Sequence, residues 1–346
     1  MDVPEASNVE KVESDDQIEL RQREELTAYT TELSARITSK SNLRQENLTC
    51  TRPSEEYFAR LDSSLKKNTA FVKRLKQFTA SQLDGFLKDM SGLNLTKYIS
   101  EVSSSLIEAK LKMTDVSAAI TLCSKLHQMY GDFSTAFFEN WLKILTIKPG
   151  EKLANSSKTR VDLRFFAELI SVGVFSNKMG LPLLGATLTG LIQSDKEDHA
   201  NLSIILSFCR HCGEEYAGLV NRNMHTLAQK FNVELPTYTL LTSDKQQNLR
   251  NLLKDYFYTL CKHLYSEHKL YHQAIRTNRN ILASKGEVSS ERKEKLEMMQ
   301  SNFEKLSTSV QAMAELLNDN MPDLPKDEED PVKGMVLENG KLMFDS

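Results

Sequence analysis

The feature that most restricts the fold is a helical apolar rhythm that restarts every 15–20 residues from Pro53 onward. Apolar residues keep that spacing over 95–111, 116–129, 133–145, 163–175, 181–192, 202–208 and 217–231, and strand-like alternation never outlasts a few residues. Only 13 glycines and 8 prolines punctuate 346 residues, which favours long helices over many short strands and turns. Pro53 with Glu55 and Glu56 opens one helix: proline lacks an N–H that the first turn would leave unpaired, and acids there complement the helix dipole. Thr79 with Gln82, Ser194 with Glu197 and Ser243 with Gln246 have the spacing at which two side chains satisfy orphan N–H groups reciprocally. Residues 148–158 and 232–242 read as loops, around Pro149-Gly150 and Pro236. Two long helices follow, 243–282 and 289–318, joined at Lys285-Gly286. The expectation is an all-α body over 53–320, built from stacked antiparallel helix pairs.

The flanks differ in character. Residues 1–16 read as a disordered acidic N-terminus, and 17–52 as a charged lead-in helix whose Ile18, Leu26, Leu33, Ile37 and Leu43 are too sparse for a core element. Residues 321–346 read as an acidic linker, with Pro322, Pro325 and the acidic run 327–330, and the ending suggests a piece of a longer protein. The net charge of −3 hides this asymmetry: residues 1–25 carry −6, residues 318–346 carry −5, and the stretch between carries +8. A basic body between acidic tails suits an anionic partner, with the tails competing for the same surface or merely keeping the chain soluble. No apolar run approaches the roughly 18 residues of a membrane span, and no apolar signal core opens the chain. The expectation is no membrane partner and a cytoplasmic location, extending to the nuclear periphery or to shuttling into the nucleus. Five irregularly spaced cysteines fit free thiols in a reducing compartment.

Chemistry has few footholds. In Cys209-Arg210-His211-Cys212, two thiols and an imidazole could begin a zinc site or form a redox pair. Zinc needs four ligands, and no second CxxC or spaced histidine pair follows. The blander expectation is that Cys209 and Cys212 pack in the core at the end of an apolar helix, while Arg210 and His211 face outward. Gly180 and Gly185 have P-loop spacing, but Ala186 and Thr187 stand where Lys and Ser/Thr are required. Glu214-Glu215 reads as solvated surface, and Trp141 among Phe137, Phe138, Leu142 and Leu145 as core. No cofactor and no enzymatic activity are expected.

Basic stripes are more informative. Over 61–76, Leu61, Leu65, Val72 and Leu75 mark an apolar side, while Lys66 and Lys73, and Lys67 and Arg74, repeat seven apart. Seven residues fall only about 20° short of two turns, so these cations share a face that Lys76 extends. Lys262, Lys269 and Arg276 repeat the spacing, with Tyr265, His272 and Arg279 alongside. Such stripes could follow an RNA phosphate backbone or an acidic protein segment, or be a helix's wet face.

Longer strings carry a resemblance. LDSSLKKNTAFVKRL (61–75), GLNLTKYI (92–99), DLRFFAEL (162–169), SFCRHCG (207–213), SKGE (284–287) and NMPDLP (320–325) resemble the first helical domain of the regulators of nonsense transcripts, a family of nonsense-mediated mRNA decay factors. The resemblance covers about residues 53–325. It implies a MIF4G-type solenoid of HEAT-like helix pairs and a non-catalytic scaffold in mRNA surveillance. It also implies an assembly joining an RNA helicase to an exon-junction-linked partner, through regions outside this chain. RNA contact through Lys66, Lys67, Lys73, Arg74 and Lys76 is the expected site. The alternatives are a translation-type MIF4G scaffold for initiation factors, and a zinc or thiol enzyme built on Cys209, His211 and Cys212.

Overall fold

The computed structural model describes residues 15–147 and 155–325. Its helices are α1 (Asp15–Thr49), α2 (Glu55–Ala59), α3 (Leu65–Leu75), α4 (Leu83–Gly92), α5 (Ile99–Glu108), α6 (Val116–Met129), α7 (Phe133–Leu145), α8 (Ser156–Ser171), α9 (Asn177–Gln193), α10 (Leu202–Ala217), α11 (Arg222–Phe231), α12 (Ser243–Lys285) and α13 (Ser290–Leu317). Among the described residues the only strand-type pairing is an isolated bridge between Asp62 and Leu93. Through most of the body a helix packs on the next but one: α3 on α5, α5 on α7 and α7 on α9 in one row, α4 on α6, α6 on α8, α8 on α10 and α10 on α12 in the other. Periodicity led us to expect packed antiparallel helix pairs and the resemblance a solenoid of them, and two rows of alternating helices are that solenoid.

The core follows from which residues each row turns inward. One apolar cluster runs from Phe71 on α3 to Tyr216 on α10, with Trp141 enclosed by Phe137, Phe165 and Phe166 at ring separations of 5.4–5.8 Å. A second joins α10, α12 and α13 through Ile205, Cys209, Leu260, Val310 and Met313. Helix α10 is the wall between them, buried on both sides.

Several local expectations shift for physical reasons. Thr79 and Gln82 do form their reciprocal cap. Ser194 instead closes α9, donating its hydroxyl to the Gly190 carbonyl at 2.8 Å, so a spacing read as a start is a stop. Gln246 does not cap α12; its amide donates to the Glu215 carbonyl, and Thr242 holds the N-cap position without a side-chain bond. Helix α8 begins seven residues before the apolar pattern does, because the Asn155 side chain accepts from the Lys158 N–H. Helix α10 runs on through Gly213 to Ala217 and ends where Gly218 adopts φ +58°. Residues 148–154 of the expected loop lie outside the described residues, as does 1–14 of the acidic N-terminus; Asp15 and Asp16 are already helical. Most of the acidic linker also lies outside them, while Met321 and Leu324 pack against the second cluster.

The lead-in helix corrects the sequence reading most. Helix α1 docks across α6, α8, α10 and α11, and it does so with polar groups. Its apolar contribution is small: Leu26 joins Met224, Leu227 and Ala228 of α11, and Leu33 is buried. Lys40 bridges Glu168 at 2.7 Å and Glu215 at 2.8 Å. Arg44 donates to the Ile170 and Ser171 carbonyls and to Asn177. Buried Asn47 donates to the Ser124 hydroxyl and the Val172 carbonyl and accepts from Gln128. The Glu214-Glu215 pair, expected at the solvated surface, receives this helix: Tyr29 and Arg36 donate to Glu214, while Lys40 and the Ser171 hydroxyl donate to Glu215, which is 5% exposed. Hydrophobic patterning registers apolar side chains, so a helix fastened by charges and amides escapes it.

Two helices leave the solenoid. No residue of α12 beyond Leu264, and none of α13 before Val310, is buried, so 265–309 forms a two-helix arm about 30 Å long. Tyr271 stacks on Phe303 across its base, and Gly286 at φ +79° makes its tip.

Candidate functional site

The five cations singled out in the sequence sit on and just after α3. The helix buries Asn68, Phe71 and Leu75, which turns the cationic face outward; Leu65, expected on the apolar side, is 70% exposed at the first turn. Three of the five are already engaged. Lys67 reaches Asp62 at 2.6 Å, Arg74 reaches Asp89 at 2.7 Å while lying 4.7 Å over the Phe86 ring, and Lys76 reaches Glu108 at 2.7 Å. The Lys67 hydrogen bond, aided by the Ser64 N–H, holds the Asp62 carboxyl below the usual carboxylate range. Lys66 and Lys73 have no ion pair among the described residues. Exposed pairs of this kind are worth little and exchange readily, so the face can still meet an anion.

The cysteine motif is shaped by burial. Cys209 and Cys212 lie on one side of α10, each in a different apolar cluster, and Arg210 and His211 turn away from both clusters. Burial pushes the Cys209 thiol up to about 12 and the Cys212 thiol well above its ordinary value, the reverse of what a thiolate ligand or nucleophile needs. Among the described residues no group of three or more His, Cys, Asp or Glu could hold a metal ion. Gly180, the first residue of the P-loop-like spacing, packs on Ile170 inside α9, away from any phosphate-binding turn.

Folding also creates a cationic groove that no local pattern announces. It encloses about 890 Å³ between the α5–α6 connection and the starts of α8 and α10, with Thr308 and Ser309 of α13 on its rim. Lys110, Lys112, Arg160 and Arg210 line it without an ion pair among the described residues, whereas Lys158 is held by Asp162 and the Ile107 carbonyl. Its own burial, with Arg164 and Arg210 nearby, pulls His211 below the ordinary histidine value. These cations come from three different helix pairs, so only the fold unites them. The second stripe runs along α12, with Lys262, Lys269 and Arg276 exposed. Lys269 and Arg276 lie on the arm and Lys262 just before it, all on a different element from α3. Among the described residues no helix is long and apolar enough to cross a membrane.

The comparisons agree with one another. The model of the MIF4G domain family matches residues 65–319. The human protein Regulator of nonsense transcripts 2 is 46% identical over 288 residues, 83% of this chain and 23% of that protein. Regulator of nonsense transcripts UPF2 from Arabidopsis thaliana is 32% identical over 326 residues, 91% of this chain and 27% of that protein. The chain therefore spans about a quarter of the length of these curated relatives. The crystal structure of the first MIF4G domain of human nonsense mediated decay factor UPF2 superposes with a TM-score of 0.82 at 45% identity, covering 88% of this chain and all of that one.

Proposed function

The chain belongs to the MIF4G domain family, and from that membership we propose that it is a non-catalytic scaffold of nonsense-mediated mRNA decay. One observation carries the reading: the whole of the first MIF4G domain of a human decay factor is matched, at 45% identity. Within an assembly that joins an RNA helicase to an exon-junction-linked partner, this domain is a platform, and its solenoid presents surfaces for other macromolecules in the cytoplasm. Thiols buried as deeply as Cys209 and Cys212 support a role without chemistry. The α3 cations, led by the unpaired Lys66 and Lys73, supply a salt-sensitive contact to RNA, joined by Lys67, Arg74 and Lys76 when phosphate displaces their carboxylates.

A crosslinking pull-down from cell lysate with the full chain as bait tests the scaffold role. Decay factors enriched over initiation factors support it; an initiation-type helicase dominating the capture would transfer the chain to the translation-type reading. Charge reversal of the five α3 cations tests the RNA contact separately. Unchanged RNA retention at low salt removes that contact and leaves the scaffold reading standing.

A further inference from the structure

We propose that the outer face of α12, from Tyr258 at the solenoid out along the arm to Arg276, is a binding platform for single-stranded RNA, in which tyrosine rings stack on bases while lysine and arginine hold the phosphates. The inference needs neither the decay reading nor the α3 cations. It begins from helix geometry: at 3.6 residues per turn, Tyr258, Lys262, Tyr265, Lys269 and Arg276 fall within a band about 60° wide and about 27 Å long. The residues that α12 buries, Leu253, Tyr256, Phe257, Leu260 and Leu264, lie on the opposite side, so the band faces water.

Three observations distinguish this band from an ordinary wet helix face. Its two rings keep much of their surface in solvent, Tyr258 at 64% and Tyr265 at 48% exposure, which leaves ring area that a base could cover. Lys262 Nζ lies over one face of the Tyr258 ring, 4.4 Å from its centre, which puts a cation next to a ring whose other face a base could use. From 258 to 285 the helix carries five Lys or Arg and a single acid, Glu267, which sits across the helix from the band against His263. Alternating cations and exposed rings are what a single strand can use, because every base has a π face and every phosphate a charge. A duplex hides its bases and would meet only the charges. The groove beside α8 is cationic too, but no tyrosine, tryptophan or phenylalanine lines it, and its one ring is the imidazole of His211.

The test uses the full chain, a fluorescently labelled 12-nucleotide uridine and adenosine strand, and an abasic 12-mer with the same phosphates. Binding is followed by anisotropy across a salt series. Three phosphate contacts predict a slope of log affinity against log salt of about −2, near −0.7 for each. Tyr258→Ala with Tyr265→Ala should lower affinity for the normal strand roughly tenfold or more while leaving the abasic strand and the salt slope unchanged. Replacing both with Phe should restore binding. Lys262→Gln, Lys269→Gln and Arg276→Gln together should flatten the slope for both strands. The proposal is overturned if the parent chain binds the abasic strand as tightly as the normal one, or if the Tyr→Ala pair binds RNA unchanged. It is also overturned if an Asp/Glu-rich peptide of equal charge binds as tightly as the RNA, which would make the face one for an acidic polypeptide. All five side chains are exposed, so the variants keep the fold.

Discussion

Lys40→Met should loosen α1 from the solenoid, and the structure sets the size of the effect. The Lys40 ammonium stands between Glu168 and Glu215, whose side chains are only 12% and 6% exposed. Methionine keeps the apolar stem and removes the charge. Glu215 then retains the Ser171 hydroxyl and Glu168 retains a distant Arg164 at 3.8 Å, so two carboxylates share less compensation than either needs. Stranding one side of a buried pair costs 3–5 kcal/mol, and the remaining donors place this case near ~3. With an unfolding entropy of ~2.1 cal/mol/K per residue over roughly 300 ordered residues, that is a fall in Tm of about 5 °C. If the loss is confined to the strap, amides of α1 should lose about a hundredfold in protection from hydrogen exchange while α5 and α7 keep theirs. Arg36→Met is the control, because its pair with Glu214 is half exposed and worth under about 1 kcal/mol. Burial alone would lower the Lys40 ammonium, but Glu215 and Glu168 overcome it and hold it above the ordinary lysine value. The sign follows. Both folded and unfolded chains are protonated below about pH 10.4, so the contribution is whole there and is lost as pH climbs above it. A Lys40→Met protein whose Tm stays within about 1 °C of the parent and whose α1 amides exchange no faster would refute this account of the strap.

Other consequences are as direct. Gly180→Ala should cost about 1–3 kcal/mol, since the new Cβ would lie 2.4 Å from Ile170 Cγ1, whereas Gly185→Ala has open space around it and should be neutral or slightly stabilising in a chemical melt. His127 is held below the ordinary histidine value by burial, so the unfolded chain takes the proton first and stability falls as pH drops below about 6.5. His127→Gln should make that fall shallower between pH 7 and 5 without abolishing it, because His199 and His211 are lowered too. Alkylation of the native protein at pH 8, read by mass spectrometry, should label Cys50 first and Cys261, whose thiol burial pushes up to about 11, next, both before the buried Cys123, Cys209 and Cys212; rapid labelling of Cys209 and Cys212 would revive a thiol chemistry.

Where apolar packing decides, the sequence was readable. Helices α6 and α7 begin and end at the residues their apolar patterns mark, and Trp141 lies in the core among the phenylalanines beside it. Where polar groups decide, it was not. Helix α1 reads as a polar outrigger because its two inward leucines are seven residues apart and the rest of its grip is Lys40, Arg44 and Asn47. Glu214-Glu215 reads as surface for the same reason, since nothing in the local string reveals a lysine 175 residues earlier. Ser194 has the letters of a cap, but the serine hydroxyl can as well donate backward to Gly190 and close a helix. On α3 the cations were legible and their partners were not: Asp62, Asp89 and Glu108 come from three separate segments. The groove cations are spread over a hundred residues and share no pattern. Tyr258, by contrast, stands seven residues before Tyr265, and extending the α12 stripe by two turns would have found it.

A row of helices joined only to its neighbours bends like a bow, each joint adding a little compliance. Helix α1 is a string across part of that bow, from α6 to α11. It is tied to α6, α8, α10 and α11 at separate points, and it is too stiff to buckle over the 35 residues between its ends. The angles between those helices are thereby tied together rather than left to each joint. Load on α6 reaches α11 along the string as well as through the stack.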